Sequence, residues 1–433
     1  MIRIAHFSDL HYGHKTLAEA DRCFGAAIDQ AIEARVQAAV LSGDATDHAL
    51  ELHAPAALRL MGQVKRLAEH CPVLMLQGTF SHEPPGALSV FRLLGARHPI
   101  HVADRIGQVV LSRLGQWLPS DAWRFDMLPS APLALFTCVP TVNKAVVAAT
   151  IGATNAATSV SEHLAALLAG FAPIHREARA LGVPTVGVSH GTVFGSISEH
   201  GVPMAGFDHE FTTGALFAAE AAAFMLGHIH KHQGWTRDHG AGVQCIAYAG
   251  SLGRFHHGEQ GDKGFLIWEV DADTASFELR ATPARRTMDI VFEGRPDLVA
   301  LRDVVAQQSL SGTSVRVRWT VAEEDKQAID RAAIQALLGD AAEVKLEGRI
   351  VPVVRTRAAG ISQLTGLADK VRVWAQTTQC NPKPLLGCLD RLMSDSPEAI
   401  AEAILQDSTG SSACGCEPAS DEDCVVLSEH ACA

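Results

Sequence analysis

Asp and His residues recur in five short groups along the first half of the chain. The groups are Asp9-Leu10-His11, Gly43-Asp44-Ala45-Thr46-Asp47, Ser81-His82-Glu83, Ser189-His190-Gly191 and Gly227-His228-Ile229-His230. Carboxylates and imidazoles together are ligands of divalent transition metals. Two such ions about 3.5–4 Å apart activate a water and stabilise negative charge on an attacked phosphate. The residue types therefore predict a two-metal hydrolytic site.

Most of these groups follow an apolar run that is typical of a buried strand. Strands are predicted at 2–8, 38–42, 72–77, 184–188 and 222–226, with helices at 16–36, 53–70 and 161–181 between them. Further strands are expected near 100–103, 109–113, 133–139, 243–249 and 264–270. Strands that alternate with helices indicate βαβ units, so we predict a layered α/β fold with the Asp and His groups at strand ends.

The spacing within the groups indicates how they could share two ions. Asp9 and His11 lie two residues apart after one strand, so both side chains can face one ion. Asp44 follows the neighbouring strand, and Gly43 before it lets the backbone turn closely there. One carboxylate at that position can bridge two ions. The mixed oxygen and nitrogen set suits manganese, iron or zinc better than magnesium alone. Three further imidazoles complete the predicted ligand set, those of His190, His228 and His230.

Composition limits the class of protein. With 433 residues the chain is long enough for two or three domains, and 47% hydrophobic residues can form a sizeable core. We expect no membrane span, because no apolar run reaches about 18 residues. We also expect no signal peptide, because the chain opens directly on a strand-like segment. Ten scattered Cys residues favour reduced thiols and a cytoplasmic location.

The net charge of −12 is concentrated at one end. Six acidic residues and no Lys or Arg lie in 406–433, so the rest of the chain carries −6. Two bound divalent ions would bring that value to about −2 and would place positive charge at the site itself. Charge therefore permits a nucleic-acid substrate without indicating one.

Four regions follow each other along the chain: a larger α/β domain over 1–280, a small α/β unit over 281–355, a helical segment over 356–405, and an acidic, Cys-rich tail over 406–433 that we expect to be disordered. In the small unit, strands are predicted at Met288–Glu293, 314–321 and 342–346, and helices at about 296–307 and 324–338. Pro382 and Pro384 are expected to break the helical segment.

The ordered groups resemble the calcineurin-like metallophosphoesterase superfamily. Within it, the opening Phe7-Ser8-Asp9-Leu10-His11, the group at 226–230 and the later Tyr248-Ala249-Gly250-Ser251-Leu252-Gly253-Arg254 with Lys263-Gly264 resemble the SbcD-type DNA repair exonucleases. The resemblance covers about residues 1–280. It implies a four-layer α/β/β/α sandwich, a small α/β capping domain and a C-terminal helical segment that docks on an SbcC-type ATPase. It also implies DNA as substrate, two manganese ions and a homodimer.

The resemblance also implies a role for each residue of the motifs. His82 would lie over the scissile phosphate, where it either stabilises the transition state or protonates the leaving oxygen. Asp47 would orient His82 or a ligand. The metal ligands would be Asp9, His11 and His230 for one ion, a bridging Asp44, and His190 and His228 for the second ion.

The third group departs from the family pattern. The family writes Gly-Asn-His-[Asp/Glu], whereas this chain has Gly78-Thr79-Phe80-Ser81-His82-Glu83, with two extra residues and Ser81 in the place of the Asn. Ser81 would then be a poorer ligand of the second metal, or water would complete the shell. We expect a working site with altered metal affinity.

Three functions stay open from the residues. The first is a manganese-dependent phosphodiesterase acting on DNA ends. The second is a metallophosphoesterase on small esters such as cyclic nucleotides, which would not need residues 286–405. The third is a scaffold with a degraded site. Other residues have two interpretations each. Arg254 could contact a phosphate or be a solvated loop residue, and Trp319 with Arg316 and Arg318 could contact DNA or be ordinary strand residues. His256 and His257 are expected at the surface or beside a ligand.

Overall fold

The computed structural model describes residues 1–141, 144–150, 160–204, 210–240, 242–259, 261–352 and 360–409. They belong to two compact units, the first over Met1–Val351 and the second beginning at Pro352. No helix in these ranges combines the length and the apolar character needed to cross a membrane. The tail beyond 409, predicted to be disordered, lies outside the described residues.

The first unit contains all the strands of the described chain. They are β1 Ile2–Phe7, β2 Ala38–Leu41, β3 Val73–Leu76, β4 Ile100–Ala103, β5 Gly107–Ser112, β6 Trp117–Pro119, β7 Pro132–Val139, β8 Thr185–His190, β9 Thr192–Val193, β10 Glu210–Phe211, β11 Ala223–Gly227, β12 Gln233–Asp238, β13 Val243–Tyr248, β14 Gly264–Val270, β15 Ala275–Ala281, β16 Arg286–Glu293, β17 Thr313–Ala322 and β18 Glu343–Val351. Its helices are α1 Leu17–Glu33, α2 Pro55–Ala68, α3 Lys144–Thr150, α4 Val160–Ala180, α5 Thr213–Ala218, α6 Leu298–Gln307 and α7 Arg331–Leu337, with 3-10 segments at Ala87–Leu93 and Glu323–Ala328.

Two large sheets organise the first 281 residues. In the described chain, one has the strand order β15-β14-β1-β2-β3-β4 and the other β12-β13-β11-β8-β7-β5-β6. Strands β1 to β4 are parallel to one another, and so are β7, β8, β11 and β13. The short central strands are buried along their whole length, which is typical of parallel strands that are covered on both faces.

The sheets face each other across a shared core and carry helices on their other faces. Ile4 and Val40 of the first sheet belong to the same buried cluster as Phe136 and Met225 of the second. The alternate residues of β1 point the other way, where a second cluster joins Phe7 to α1 and α2. Helices α4 and α5 cover the second sheet in the same manner. The predicted mixed α/β class is confirmed.

A small three-stranded parallel sheet, in the order β16-β17-β18, packs with α6 and α7 around a core of its own. Trp319 lies at the centre of that core and is only 3% exposed, so its side chain is not available to contact DNA. The helix expected at 324–338 is divided: α7 begins at Arg331, because the side chain of Asp330 caps it by accepting from Ala333 N.

The second unit contains three helices in its described part, α8 Leu367–Thr377, α9 Pro382–Ser394 and α10 Pro397–Thr409. The helical segment is broken before Pro382, as predicted, and Pro382 begins α9 because the first turn of a helix has no partner for its N–H groups. Pro384 lies in the same first turn. Asn381 caps the helix by accepting a hydrogen bond from Lys383 N.

Candidate metal centre

The carboxyl ends of parallel strands from both sheets bring the five Asp and His groups to one place. Asp9 follows β1 and Asp44 follows β2, while His190 ends β8 and His228 directly follows β11. Ligands in open α/β sheets bind at this edge. The ligand atoms form three overlapping groups, within 4.8 Å of each other in each group: Asp9, His11 and His230; His11, Asp44 and His82; and Asp44, His190 and His228.

The first group pairs two imidazoles beside a buried carboxylate. His11 Nε2 lies 2.9 Å from His230 Nε2, which is 4.0 Å from Asp9 Oδ1. Ser8 Oγ donates to Asp9 Oδ2 at 2.5 Å. Burial, together with the neighbouring His230, lowers the pKa of His11 well below its ordinary value. His11 is therefore neutral at physiological pH, as a metal ligand must be.

Asp44 stands between the other two groups. Its Oδ2 lies 3.2 Å from His190 Nε2 and 3.2 Å from His82 Nδ1. Burial alone would raise the pKa of Asp44, but the facing His190 holds it well below its ordinary value. His190 Nδ1 is 2.8 Å from the carbonyl oxygen of Ser42, to which it can donate. That contact turns Nε2 of His190 towards Asp44, on the side where a metal could be bound.

The hydroxyl beside Asp44 and His190 belongs to Thr79 and not to Ser81. Thr79 Oγ1 lies 3.1 Å from Asp44 Oδ2 and 3.3 Å from His190 Nε2, and Thr79 N donates to Asp44 Oδ1 at 2.6 Å. Ser81 is exposed. The two extra residues of the motif at 78–83 therefore change which residue faces Asp44 and His190. The geometry favours Thr79 over the predicted Ser81 there.

Four candidate ligands have a positive φ, a backbone conformation that residues other than glycine rarely adopt. The values are 51° for Asp9, 47° for His11, 51° for Asp44 and 103° for His228. Backbone bonds hold two of these turns, since Asp9 N donates to Gly43 O and His11 N to Asp44 O. His228 N is held by both carboxylate oxygens of Asp9, at 3.1 and 3.2 Å. Such strain, about 1–3 kcal/mol per residue, is concentrated at functional sites.

Gly43 is required by close packing as well as by its backbone conformation. Its φ is +103°, and a Cβ there would lie 2.3 Å from His190 Nδ1. No larger residue fits without moving the imidazole. The predicted close turn before Asp44 is thus explained by the approach of His190 from the opposite sheet.

Glu83 connects the loops that carry Asp44 and Thr79 through hydrogen bonds to both of them. Its side chain is fully buried, and it accepts from Ala45 N at 2.6 Å and from Gly78 N at 2.5 Å. Burial, with the nearby Asp44, raises the pKa of Glu83 to about 7. The sequence placed Glu83 in the third motif but gave it no role.

Asp47 and His82 lie at the open side of the cluster. Asp47 Oδ1 is 3.8 Å from Nδ1 of His11, a candidate ligand. The side chain of His82 is 30% exposed while its Nδ1 faces Asp44. The facing carboxylate of Asp44 raises the pKa of His82. His82 is thus accessible to a molecule that approaches the cluster.

The donor set fits divalent transition ions. The nitrogen atoms of His11 and His230 face each other, and buried carboxylates stand within reach of both. The Nδ1 atoms of His82 and His230 are buried without a hydrogen-bond partner. Imidazole and carboxylate groups that converge in this way are suited to manganese, iron or zinc.

Neither a family model nor a curated protein sequence matches the chain. Among solved structures, a dimetal phosphatase from Danio rerio is similar over 64% of this chain and 98% of its own, with a TM-score of 0.35 and 11% sequence identity.

Proposed function

We propose that this chain is a two-metal phosphodiesterase that acts on DNA. The observation that carries the proposal is the shared carboxylate of Asp44, which belongs to two of the three ligand groups. A carboxylate between two clusters is the arrangement by which a protein holds two ions close together. In this proposal the two large sheets form the four-layer metallophosphoesterase sandwich.

The residues would divide the work as follows. Asp9, His11 and His230 would hold one ion, and His190 and His228 the other, with Asp44 between them and Thr79 beside the second. Two bound ions, with manganese proposed, would supply Lewis-acid charge and a nucleophile for in-line attack on the phosphodiester. His82, exposed at the rim and held by Asp44, would contact the scissile phosphate and either stabilise its charge or protonate the leaving oxygen.

The position of the small sheet supports the proposal of a long substrate. Arg316 Nη2 donates to His257 O at 3.3 Å, which places β17 against the loop that carries His256. The ring of His256 stacks on that of His230, with centroids 6.2 Å apart. A cavity of about 640 Å³ opens there, lined by His200, His256, His257, Gly258, Asp289, Arg316 and Arg318. We propose that residues 281–355 cap the centre and contact a DNA backbone beyond the scissile bond.

A groove in the second unit supports the proposal of a protein partner. Its helices leave an apolar groove of about 450 Å³, lined by Ile361, Leu367, Lys370, Val371, Trp374, Leu385, Cys388, Leu389 and Leu392. Exposed apolar surface of this kind is typical of interaction sites. We propose that this groove binds an SbcC-type ATPase and that the catalytic unit forms a homodimer.

The test is manganese-dependent degradation of linear duplex DNA, with bis-p-nitrophenyl phosphate as a small diester. We expect wild type to cleave both and Asp44→Ala to cleave neither. Asp238→Ala, at an exposed Asp on β12, is the matched control and should behave as wild type. Turnover of the small diester without DNA cleavage would contradict the DNA substrate and favour a small ester such as a cyclic nucleotide. No turnover with less than one bound metal per chain would favour a scaffold.

A further inference from the structure

A buried ion pair lies directly behind His230. Glu259 and Lys263 are four residues apart, and Lys263 Nζ is 2.5 Å from Glu259 Oε2. The side chain of Lys263 is only 1% exposed and that of Glu259 is fully buried. The sequence singled out Lys263 as part of a family resemblance, but nothing in the proposed chemistry uses either residue.

Lys263 makes two hydrogen bonds in addition to its ion pair with Glu259. Besides the carboxylate, Nζ donates to the carbonyl oxygen of His230 at 2.9 Å and to Ser251 Oγ at 2.8 Å. An ammonium group only donates, so two of its three donors are used by these hydrogen bonds, while its charge is paired with the carboxylate. Lys263 therefore fixes the backbone of His230 to the turn at Ser251.

Glu259 faces the imidazole ring of His230. Its Oε1 accepts from His256 N at 2.8 Å and from Phe255 N at 3.2 Å. The same oxygen lies 3.8 Å from His230 Nδ1, a buried atom with no hydrogen-bond partner. A carboxylate on that side favours the tautomer with its proton on Nδ1. The lone pair of His230 then points from Nε2 towards His11 and Asp9.

The pair also shapes the wall of the centre. Glu259 holds the loop in which the ring of Phe255 lies edge-on to His11, with centroids 5.4 Å apart, and the ring of His256 stacks on His230. A buried ion pair stabilises a fold weakly, because desolvation offsets the attraction of the charges. Its effect is therefore to be found in the geometry that it fixes.

We propose that Glu259 and Lys263 are positioning residues that orient His230 for the metal site of Asp9, His11 and His230, an inference that rests on the proposed two-metal function. Loss of such a partner typically weakens metal binding by about 10- to 100-fold. The effect is selective, because no contact described above joins this pair to the site of Asp44, His190 and His228.

Calorimetric titration of the full chain with Mn²⁺ tests the proposal. Wild type should bind two ions. Glu259→Gln should lose about 10- to 100-fold in affinity at one site and keep the other. His230→Ala and His190→Ala identify which site is affected. Glu278→Gln, which removes a carboxylate from the exposed Glu278–Arg280 pair on β15, is the matched control and should bind both ions as wild type does.

The outcomes separate this inference from the proposed function. Two wild-type sites with unchanged binding by Glu259→Gln would overturn the positioning role alone, and so would equal weakening of both sites. A wild type that binds no Mn²⁺ would overturn the proposed function and this inference with it. If Glu259→Gln does not fold, Glu259→Gln with Lys263→Met leaves no buried charge unpaired and should show the same selective loss.

Discussion

Gly78 is a position at which one added methyl group should disrupt the candidate metal centre. A Cβ atom there would lie 2.2 Å from Asp44 Oδ1 and 2.3 Å from Asp44 N. The carboxylate could rotate away, but the backbone nitrogen cannot, because the preceding carbonyl carbon of Gly43 is itself only 3.0 Å from the same point. We predict that Gly78→Ala displaces Asp44 from its place between the two clusters.

The size of the effect follows from two contacts. Forcing a methyl group into a packed site costs about 1–3 kcal/mol. Breaking the bond from Thr79 N to the charged Asp44 Oδ1, now 2.6 Å, costs a further ~1.5–3 kcal/mol. We expect a loss of about 2.5–6 kcal/mol in the free energy of unfolding, against a usual total of about 5–15 kcal/mol. Turnover should fall at least about 100-fold, the effect of misplacing a catalytic group by about 1 Å.

Gly62→Ala is the matched control for this substitution. Gly62 lies on the exposed side of α2, and a Cβ there would meet nothing within 4 Å. Alanine is the better helix residue, so this variant should gain about 0.5–1 kcal/mol and keep full activity. Urea unfolding measures the stability of both variants, Mn²⁺ titration measures their metal binding, and bis-p-nitrophenyl phosphate measures turnover.

A folded Gly78→Ala protein that binds two Mn²⁺ ions and turns over the diester within about threefold of wild type would refute this reasoning. It would mean that Asp44 does not bridge the ions, since a carboxylate displaced by its neighbour could not keep both sites intact.

Three other predictions test further parts of the structure. Thr79→Val removes the hydroxyl beside Asp44 and should weaken one Mn²⁺ site about 10-fold, whereas Ser81→Ala should change neither site in the same titration. Glu83→Gln turns an acceptor of Ala45 N or Gly78 N into a donor, so urea unfolding should show a loss of about 2–3 kcal/mol. Burial would raise the pKa of Asp289, but two arginines hold it below its ordinary value. This carboxylate therefore stabilises the fold above about pH 4 and ceases to do so as the pH falls through its folded pKa, so wild type should lose Tm in acid faster than Asp289→Asn, and parallel curves would contradict this.

Much of the candidate site was predictable because its Asp and His residues directly follow the apolar runs that predict strands. The apolar run before Asp9 and the one before His228 both form buried strands with parallel neighbours, so each candidate residue lies at the carboxyl end of its strand. The two strands belong to different sheets, and the packing of these sheets against each other brings the two ends together. The edge strands β12 and β15 were not predicted, because each carries polar residues on an open face. Their pairing with β13 and β14 decides their structure, and that information is distant in sequence.

Sequence spacing pointed to Ser81, whereas the structure places Thr79 beside Asp44, and the reason is local. Counting back from His82 places Ser81 where the family pattern has its ligand, and this assumes that the chain follows the same path. Here Thr79 is held at Asp44 by its own backbone N–H, and His82 N and Glu83 N both donate to Thr79 O. The loop therefore turns between Thr79 and His82, and Ser81 lies at its exposed tip. Spacing identifies a motif, but the backbone bonds of the loop decide which hydroxyl faces the centre.

The groups that hold the ligands in place were the least predictable from sequence, and the reason is physical. Glu83 acts through backbone N–H groups at Ala45 and Gly78, and Glu259 acts on His230 from 29 positions along the chain. Neither contact has a periodicity or a spacing that one sequence could reveal. Both residues are buried carboxylates, which are costly unless they are paired. A centre that needs Asp9, His11 and Asp44 at positive φ requires such braces, because the strained turns would otherwise relax and separate the ligands.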